Sequence, residues 1–415
     1  MNLTPRRSVI WLFLTAWALR LLAVGVVQFY LNQTERTWVI AGDAEGYWEL
    51  AQRIVAGQSY EIYTPPRQVL RMPGFPLLLA GSISLFGPSL LAARLVLATV
   101  GAIGCLGVYW LGLRLVNHRV GLIAGGLAAG SPIFIGFSAI ELTETAFAVA
   151  AVMGLIPLAS LLRTPPENNT RGIPHSLMAG LLAGVGCYLR PSWLLFPPAL
   201  VVWLGVSWRN RRGLAVALMA PLTLLVCLLP WGLRNQQKTG HFILTTLWMG
   251  PSLYDGWNPE NTTGDSDMRF FDRENVMASL SEYEMDQHYR QRAWAFAGSH
   301  PREVAQLAWK KSLRYWNPFP NADQFSRFPL LNAVSALWFA VVFIPALVGA
   351  WVLRRDWGLL AIAAGPIVYF AALHLIFVSS VRYRLPGEYP LLVLTAVGLD
   401  TLIVRFLSKT LPATK

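Results

Sequence analysis

The residues of this chain that could do chemistry are polar groups set at the ends of long apolar runs. Asp43 lies in Gly42-Asp43-Ala44-Glu45-Gly46-Tyr47, just after a first run over 8–30. Two readings of it stand. An Asp at a helix start caps the free N–H groups of the first turn, and a carboxylate held at a membrane surface can serve as a general base. Arg71 opens Arg71-Met72-Pro73-Gly74-Phe75-Pro76, a rigid helix start. Glu141 and Glu144 sit at a turn between two apolar runs, where a carboxylate is costly unless it is paired or faces water. Arg190, Arg382 and Arg384 flank other runs. The planar guanidinium fork suits phosphate, so such arginines could hold the phosphate of a lipid whose tail lies in the bilayer; snorkelling to ordinary headgroups is the alternative. Arg20, in the middle of the first run, needs a partner or a wet cavity.

Other residues read as structural. His374 lies in an apolar helix and reads as packed. Cys105, Cys187 and Cys227 lack the spacing of a disulfide framework or a zinc site and read as small core residues. Asn261-Thr262-Thr263 fits an N-glycosylation sequon. The sequence has no phosphate-binding glycine loop and no HExxH.

What must position these groups is a membrane bundle. Of 415 residues, 54% are hydrophobic and only 13% charged, and the mean hydropathy is +0.45. A soluble chain carries about 25% charged residues. Apolar runs fall near 8–30, 89–113, 119–137, 142–162, 175–190, 191–208, 213–232, 330–353, 357–378 and 386–407, so the expectation is an all-α polytopic protein of about ten transmembrane helices. The fifth and sixth are short, and Arg190-Pro191 places a reversal between them.

Orientation follows from charge. With the N-terminus in the cytoplasm, the inner segments hold Arg6, Arg7, Arg114, Arg119, Arg163, Arg171, Arg209, Arg211, Arg212, Arg354, Arg355, Arg405, Lys409 and Lys415. The short outer loops hold only Arg190, Arg382 and Arg384. The net charge of +12 is thereby read as loop anchoring and not as a nucleic-acid surface. Two long outer segments result, 31–88 and 233–329. The first predicts two interfacial helices. One is amphipathic through Tyr47, Leu50, Ala51, Ile54 and Val55, and the other covers Phe75–Phe86. In the second, Ser281 and Glu284 have capping-box spacing, and Pro301 suits the first turn of a further helix. The chain divides into a membrane module over 1–232, the outer segment 233–329 with short helices, and C-terminal membrane helices over 330–415.

Taken in order, these residues resemble the polyprenyl-phosphate-sugar-dependent glycosyltransferases of the GT-C superfamily. The likeness is to the bacterial relatives of protein O-mannosyltransferases and of lipid A aminoarabinose transferases. Gly42-Asp43 to Tyr47 resembles the first outer loop of that family with its catalytic Asp. Arg71 to Pro76 resembles its Arg-x-Pro-Gly-Tyr-Pro segment, Thr143-Glu144-Thr145 its Ser/Thr-Glu-Thr, and Leu189-Arg190-Pro191 a Thr-Arg-Pro-like step. Pro230-Trp231-Gly232-Leu233-Arg234-Asn235 with Gly240, Gly256-Trp257-Asn258-Pro259 with Gly264, and Arg382-Tyr383-Arg384 match later family segments. The adjacent Asp-Glu pair of protein O-mannosyltransferases is absent, because Ala44 separates Asp43 from Glu45.

The resemblance implies a GT-C fold and an inverting hexosyl- or pentosyltransferase. It would move a sugar from a polyprenyl-phosphate donor to a hydroxyl of a glycolipid, cell-envelope glycan or protein. Asp43 would be the general base, with Arg382, Arg384 and Arg190 on the donor phosphate. Glu45, Tyr47, Arg71, Glu144, Arg234 and Asn235 would support the acceptor or the site. The chain would lie in the inner (plasma) membrane with its active site toward the periplasm or exterior, among membrane lipids. No nucleotide site is needed on the outer face; whether a divalent cation assists is left open, with Asp43, Glu45 and Glu144 as oxygen donors for it. The alternative is a secondary transporter or lipid flippase, whose folds show repeats and midplane sites; no repeat is found here.

Overall fold

The computed structural model describes residues 5–163, 172–208, 211–268, 270, 275–321 and 326–410. Arg171, Arg209 and Lys415 of the inner set lie outside them. The described chain is all-helical, apart from an isolated bridge between Ile62 and Arg67.

Seven helices are long and apolar enough to cross a membrane: Arg6–Thr34, Leu90–Leu115, Thr143–Arg163, Gly172–Leu189, Arg211–Thr239, Pro329–Val352 and Val381–Val404. An eighth is the pair Trp357–Ala363 and Gly365–Ile376, bent by 56° where Gly365-Pro366 interrupts the ladder. The remaining two of the ten expected runs are helical but short. Ser131-Pro132 splits the run over 119–137 into His118–Gly130 and Pro132–Phe137. The run over 191–208 is the shorter apolar helix Pro191–Ser207.

Thr143–Arg163 is the central helix: 83% of its apolar window is buried, against 17% for Arg6–Thr34, whose Trp11, Leu22 and Phe29 face outward. Lipid provides no hydrophobic drive between helices, so close approach depends on small residues. A Cβ on Gly398 would lie 1.9 Å from the Pro345 carbonyl oxygen, and one on Gly349 2.0 Å from that of Leu394. The last helix therefore packs backbone to backbone on Pro329–Val352.

The break at Ser131-Pro132 accommodates Arg20. A helix end leaves carbonyls without partners, and those of Ala128 and Ala129 accept from the Arg20 guanidinium at 3.2 and 3.5 Å; the Ser138 hydroxyl lies 3.2 Å away. A fully buried intramembrane arginine is thus satisfied by a helix terminus, whose partial negative charge suits it.

The segment 31–88 folds into helices Asp43–Val55 and Gly74–Phe86. The first packs Trp48 and Ala51 against Phe75 and Leu79 of the second. Leu77, Leu85 and Phe86 of the second stay exposed, as an interfacial helix requires. In the segment 233–329 the capping box of Ser281 and Glu284 forms and opens Glu282–Ser299; Pro301 starts the helix to Tyr315. The sequon is closed off: Asn261 is buried, and its amide donates to the carbonyls of Asp255 (2.6 Å) and Asp265 (3.0 Å).

Candidate active site

Five elements meet at one end of the bundle. Asp43 stands at the first position of its helix; Gly42 takes the N-cap with φ 76°, and the cap makes no side-chain hydrogen bond. The capping reading of Asp43 therefore fails. Its Oδ1 instead accepts from Arg71 Nη2 at 2.6 Å, and its Oδ2 lies 3.9 Å from Arg382 Nη2. Glu144, in the first turn of Thr143–Arg163, where the helix end favours an anion, places Oε1 2.7 Å from Arg190 Nη2 and 3.8 Å from Arg382 Nε. Arg190 follows the end of Gly172–Leu189. Pro191 holds it extended (φ −146°, ψ 116°), and its Nε reaches Thr143 Oγ1 at 2.7 Å.

Arg382 is delivered by the turn Val381–Arg384, which the segment 233–329 holds in place. The Val381 N–H donates to Asn321 Oδ1 at 2.6 Å, the Ser379 N–H donates to the Gly264 carbonyl at 3.1 Å, and Arg314 Nε donates to the Ser379 carbonyl at 3.2 Å. Arg382 Nη2 donates to the Tyr383 hydroxyl at 2.8 Å. The Tyr383 ring stacks on His374 with centroids 4.4 Å apart, so His374 is packed as expected. Arg71 lies between the rings of Tyr47 (5.2 Å) and Trp248 (5.9 Å).

Burial alone would raise the Asp43 pKa. Arg71, Arg382 and Arg190 outweigh it and hold the carboxyl below its ordinary value, so Asp43 is ionised at neutral pH. It is still more than one-third exposed, and so open to a reactant.

The structure thus gathers Asp43, Tyr47, Arg71, Glu144, Arg190 and Arg382. It sets the other residues apart. Arg384 is buried, paired with Glu388, and donates to the carbonyls of Tyr315 (3.0 Å) and Asn317 (3.1 Å). Arg234 ties down the loop before Arg71 by donating to the carbonyls of Gln68 (2.6 Å) and Tyr60 (3.2 Å), while the Asn235 amide donates to that of Ile243 at 2.8 Å. Glu45 is exposed. Glu141 pairs at 2.6 Å with Arg94, which also binds Gln28 and the Thr37 carbonyl, and so anchors the start of the segment 31–88.

As a cation site this donor set fits poorly. Asp43 and Glu144 each give their nearest oxygen to an arginine, and no group of three or more His, Cys, Asp or Glu lies together among the described residues.

The all-helical membrane bundle, with acidic and basic turns converging on one centre, has a fold shared with solved membrane oligosaccharyltransferase structures. Residues 70–233 match the family described as dolichyl-phosphate-mannose-protein mannosyltransferase. No curated protein sequence matches the chain. Among solved structures, the oligosaccharyltransferase AglB of Archaeoglobus fulgidus, in complex with an inhibitory peptide and a dolichol-phosphate, superposes with a TM-score of 0.55 at 15% identity, covering 99% of this chain and 52% of that one. Its apo form gives 0.56 at 16% identity, with the same coverages. ArnT from Cupriavidus metallidurans, bound to undecaprenyl phosphate, gives 0.46 at 15%, covering 98% and 81%. The chain spans about half the length of the AglB structures it matches.

Proposed function

We propose that this protein is an inverting glycosyltransferase that moves a sugar from a polyprenyl-phosphate donor to a hydroxyl acceptor at the outer face of the cell membrane. The observation that carries the reading is the Asp43 carboxylate, with one oxygen on Arg71 and the other toward Arg382. The site has two halves. Arg382, Arg190, Glu144 and Tyr383 form one; Arg71, Tyr47 and Trp248 form the other.

The donor phosphate belongs to the first half. Arg382 also borders an apolar cavity of about 210 Å³ lined by Ile133, Phe137, Ile140, Leu331 and Val334, which suits the first units of a prenyl tail. Asp43 takes the proton of the acceptor hydroxyl as its oxygen attacks the anomeric carbon. The bond from that carbon to the phosphate oxygen breaks with its electron pair, and the lipid phosphate leaves with an added negative charge. Arg382 and Arg190 are placed to stabilise that charge as it develops. One displacement inverts the anomeric centre. The printed descriptions of the matched family and of the AglB complex, with its dolichol-phosphate, support a lipid-phosphate donor.

The test is mass spectrometry of envelope glycolipids, glycans and glycoproteins in cells with wild-type protein, with Asp43→Asn, and without the protein. Loss of the same glycan in the last two strains is expected. A glycan inventory unchanged by deletion would refute the reading.

A further inference from the structure

Trp248 occupies a position where local rules favour another residue. It is the N-cap of the helix Met249–Gly256 and makes no side-chain cap bond, although Ser, Thr, Asp or Asn normally stands there. The capping is done from a distance. Asp286 of the helix Glu282–Ser299, itself fully buried, accepts the Gly250 N–H at 2.6 Å. The Leu247 N–H donates to the Val69 carbonyl at 3.1 Å, which sets Trp248 beside the segment carrying Arg71. Trp248 packs against the buried cluster that holds Tyr254, Met285 and Tyr289 and sets its indole face 5.9 Å from the guanidinium that holds Asp43.

A second residue on this side repeats the pattern. Tyr63 has φ 67°, a left-handed conformation that is strained for a non-glycine residue. Its ring is nearly half exposed, and its hydroxyl lies 4.0 Å from where a Cβ on Gly46 would be, over the start of the Asp43 helix.

We infer that Trp248 and Tyr63 form an acceptor subsite that takes a pyranose ring, so that the acceptor is a carbohydrate hydroxyl and not a serine or threonine. This rests on the proposed transferase reading. Inverting displacement requires the acceptor oxygen to approach opposite the leaving phosphate. With the phosphate on the Arg382 side of Asp43, the acceptor enters from the Arg71 side, where both aromatics stand. A pyranose presents one face of C–H bonds, apolar and slightly positive, which matches the negative face of an indole ring. Its hydroxyls meet Arg71 and Asp43 at the edge. A serine side chain has no such face to offer.

The probes are methyl glycosides of glucose, galactose, mannose and N-acetylglucosamine, a short blocked peptide containing Ser and Thr, and undecaprenyl phosphate, each tested on the full chain in detergent. Saturation-transfer NMR should show ring C–H contacts for at least one glycoside with wild type and Trp248→Phe. Trp248→Leu keeps an apolar body without a π face and should bind that glycoside about tenfold or more weakly. Undecaprenyl phosphate, read by thermal shift, should bind all three alike. Should the Leu variant lose phosphate binding too, and so its fold, Tyr63→Leu makes the same comparison at an exposed side chain. Glycoside contacts that persist at full strength in both Leu variants would overturn the subsite, as would contacts with the peptide alone. A Trp248-dependent glycoside on a wild-type protein that ignores undecaprenyl phosphate would instead sink the donor reading and leave the subsite standing.

Discussion

Asp43→Asn separates chemistry from architecture, because the structure gives the carboxylate no capping role to lose. An Asn oxygen can still accept from Arg71 across the 2.6 Å contact. Asp43 is more than one-third exposed, so solvent screens the pair, and its loss should cost about 1 kcal/mol or less. Loss of an anion from the first turn of a helix adds about 0.3–1 kcal/mol. The variant should therefore fold. Turnover should fall about 10²- to 10⁴-fold, the usual contribution of a general base, or roughly 2.7–5.5 kcal/mol of barrier.

Donor affinity should move the other way. Asp43 Oδ2 lies 3.9 Å from Arg382 and draws on the charge offered to phosphate. Its neutralisation should leave undecaprenyl phosphate binding unchanged or tighter. The assay is transfer from a radiolabelled polyprenyl-phosphate sugar by purified protein, with phosphate binding measured on the same preparation. Near wild-type turnover would refute the base assignment. Parallel loss of turnover and phosphate binding would show that Asp43 holds the site together and does not react.

Three further outcomes are expected. Arg382→Ala should lower transfer by about one to two orders of magnitude, since a charge-assisted phosphate contact is worth about 1.5–3 kcal/mol, and should keep the fold; Arg384→Ala should instead lower the melting temperature, because it strands the buried Glu388. Lys311 is buried with its ammonium on the carbonyls of Gly256 (2.8 Å) and Ile376 (2.5 Å), and burial pulls its pKa down to about 7. The folded state then binds fewer protons than the unfolded chain between about pH 7 and 10, so wild-type stability should rise with pH across that window; the melting-temperature gap to Lys311→Met should widen as pH rises, and a constant gap would refute the assignment. For topology, a cysteine at Thr262 should react with an impermeant maleimide on intact cells and one at Arg211 should not; the reverse would invert the orientation.

The membrane bundle was legible because hydrocarbon demands long apolar runs. What hydropathy hid were the breaks within two of them, at Ser131-Pro132 and at Gly365-Pro366. The run over 119–137 is continuous in apolarity, yet Pro132 cannot donate to the ladder, and Arg20 of another helix fills the gap. Arg20 advertised its need for a partner, but nothing local named the Ala128 carbonyl. The site was legible where a residue type contradicted its setting, as with Asp43, Arg190 and Glu144 at apolar ends. Arg382 and Arg384 looked equivalent only because the segment was read without a conformation. In a 3₁₀ turn, with three residues per turn, positions two apart point to different faces. One meets the site, and the other is committed to Glu388. Trp248 and Lys311 gave no such sign, since tryptophan is common in this chain and Lys311 adjoins a second lysine. Only contacts across more than 50 positions reveal them.

The charges at the centre also constrain how protons move during the reaction. Arg71, Arg190 and Arg382 face Asp43 and Glu144, which leaves one positive charge uncompensated. A sugar–phosphate diester of the donor carries one negative charge and cancels it. In the proposed transfer, the lipid phosphate would end with a second negative charge near neutral pH, with its last pKa near 6, while Asp43 would have taken the acceptor's proton and become neutral. The sum of site and ligand is therefore the same before and after, and no charge is left unbalanced in a half-buried setting, where that would be costly. It follows that product binding and protonation of Asp43 are linked. The arginines hold the Asp43 pKa low in the free protein; a dianion among them weakens that hold, so the pKa rises on binding. Calorimetric titration of undecaprenyl phosphate at pH 6.5, in buffers of different ionisation enthalpy, should show more proton uptake by wild type than by Asp43→Asn, by up to about one proton per phosphate bound. The difference between the two proteins isolates the proton uptake that depends on Asp43, whether the proton rests on its carboxyl or on the phosphate beside it. Equal proton exchange would mean that Asp43 does not sense the phosphate, and the shared-charge mechanism would fall.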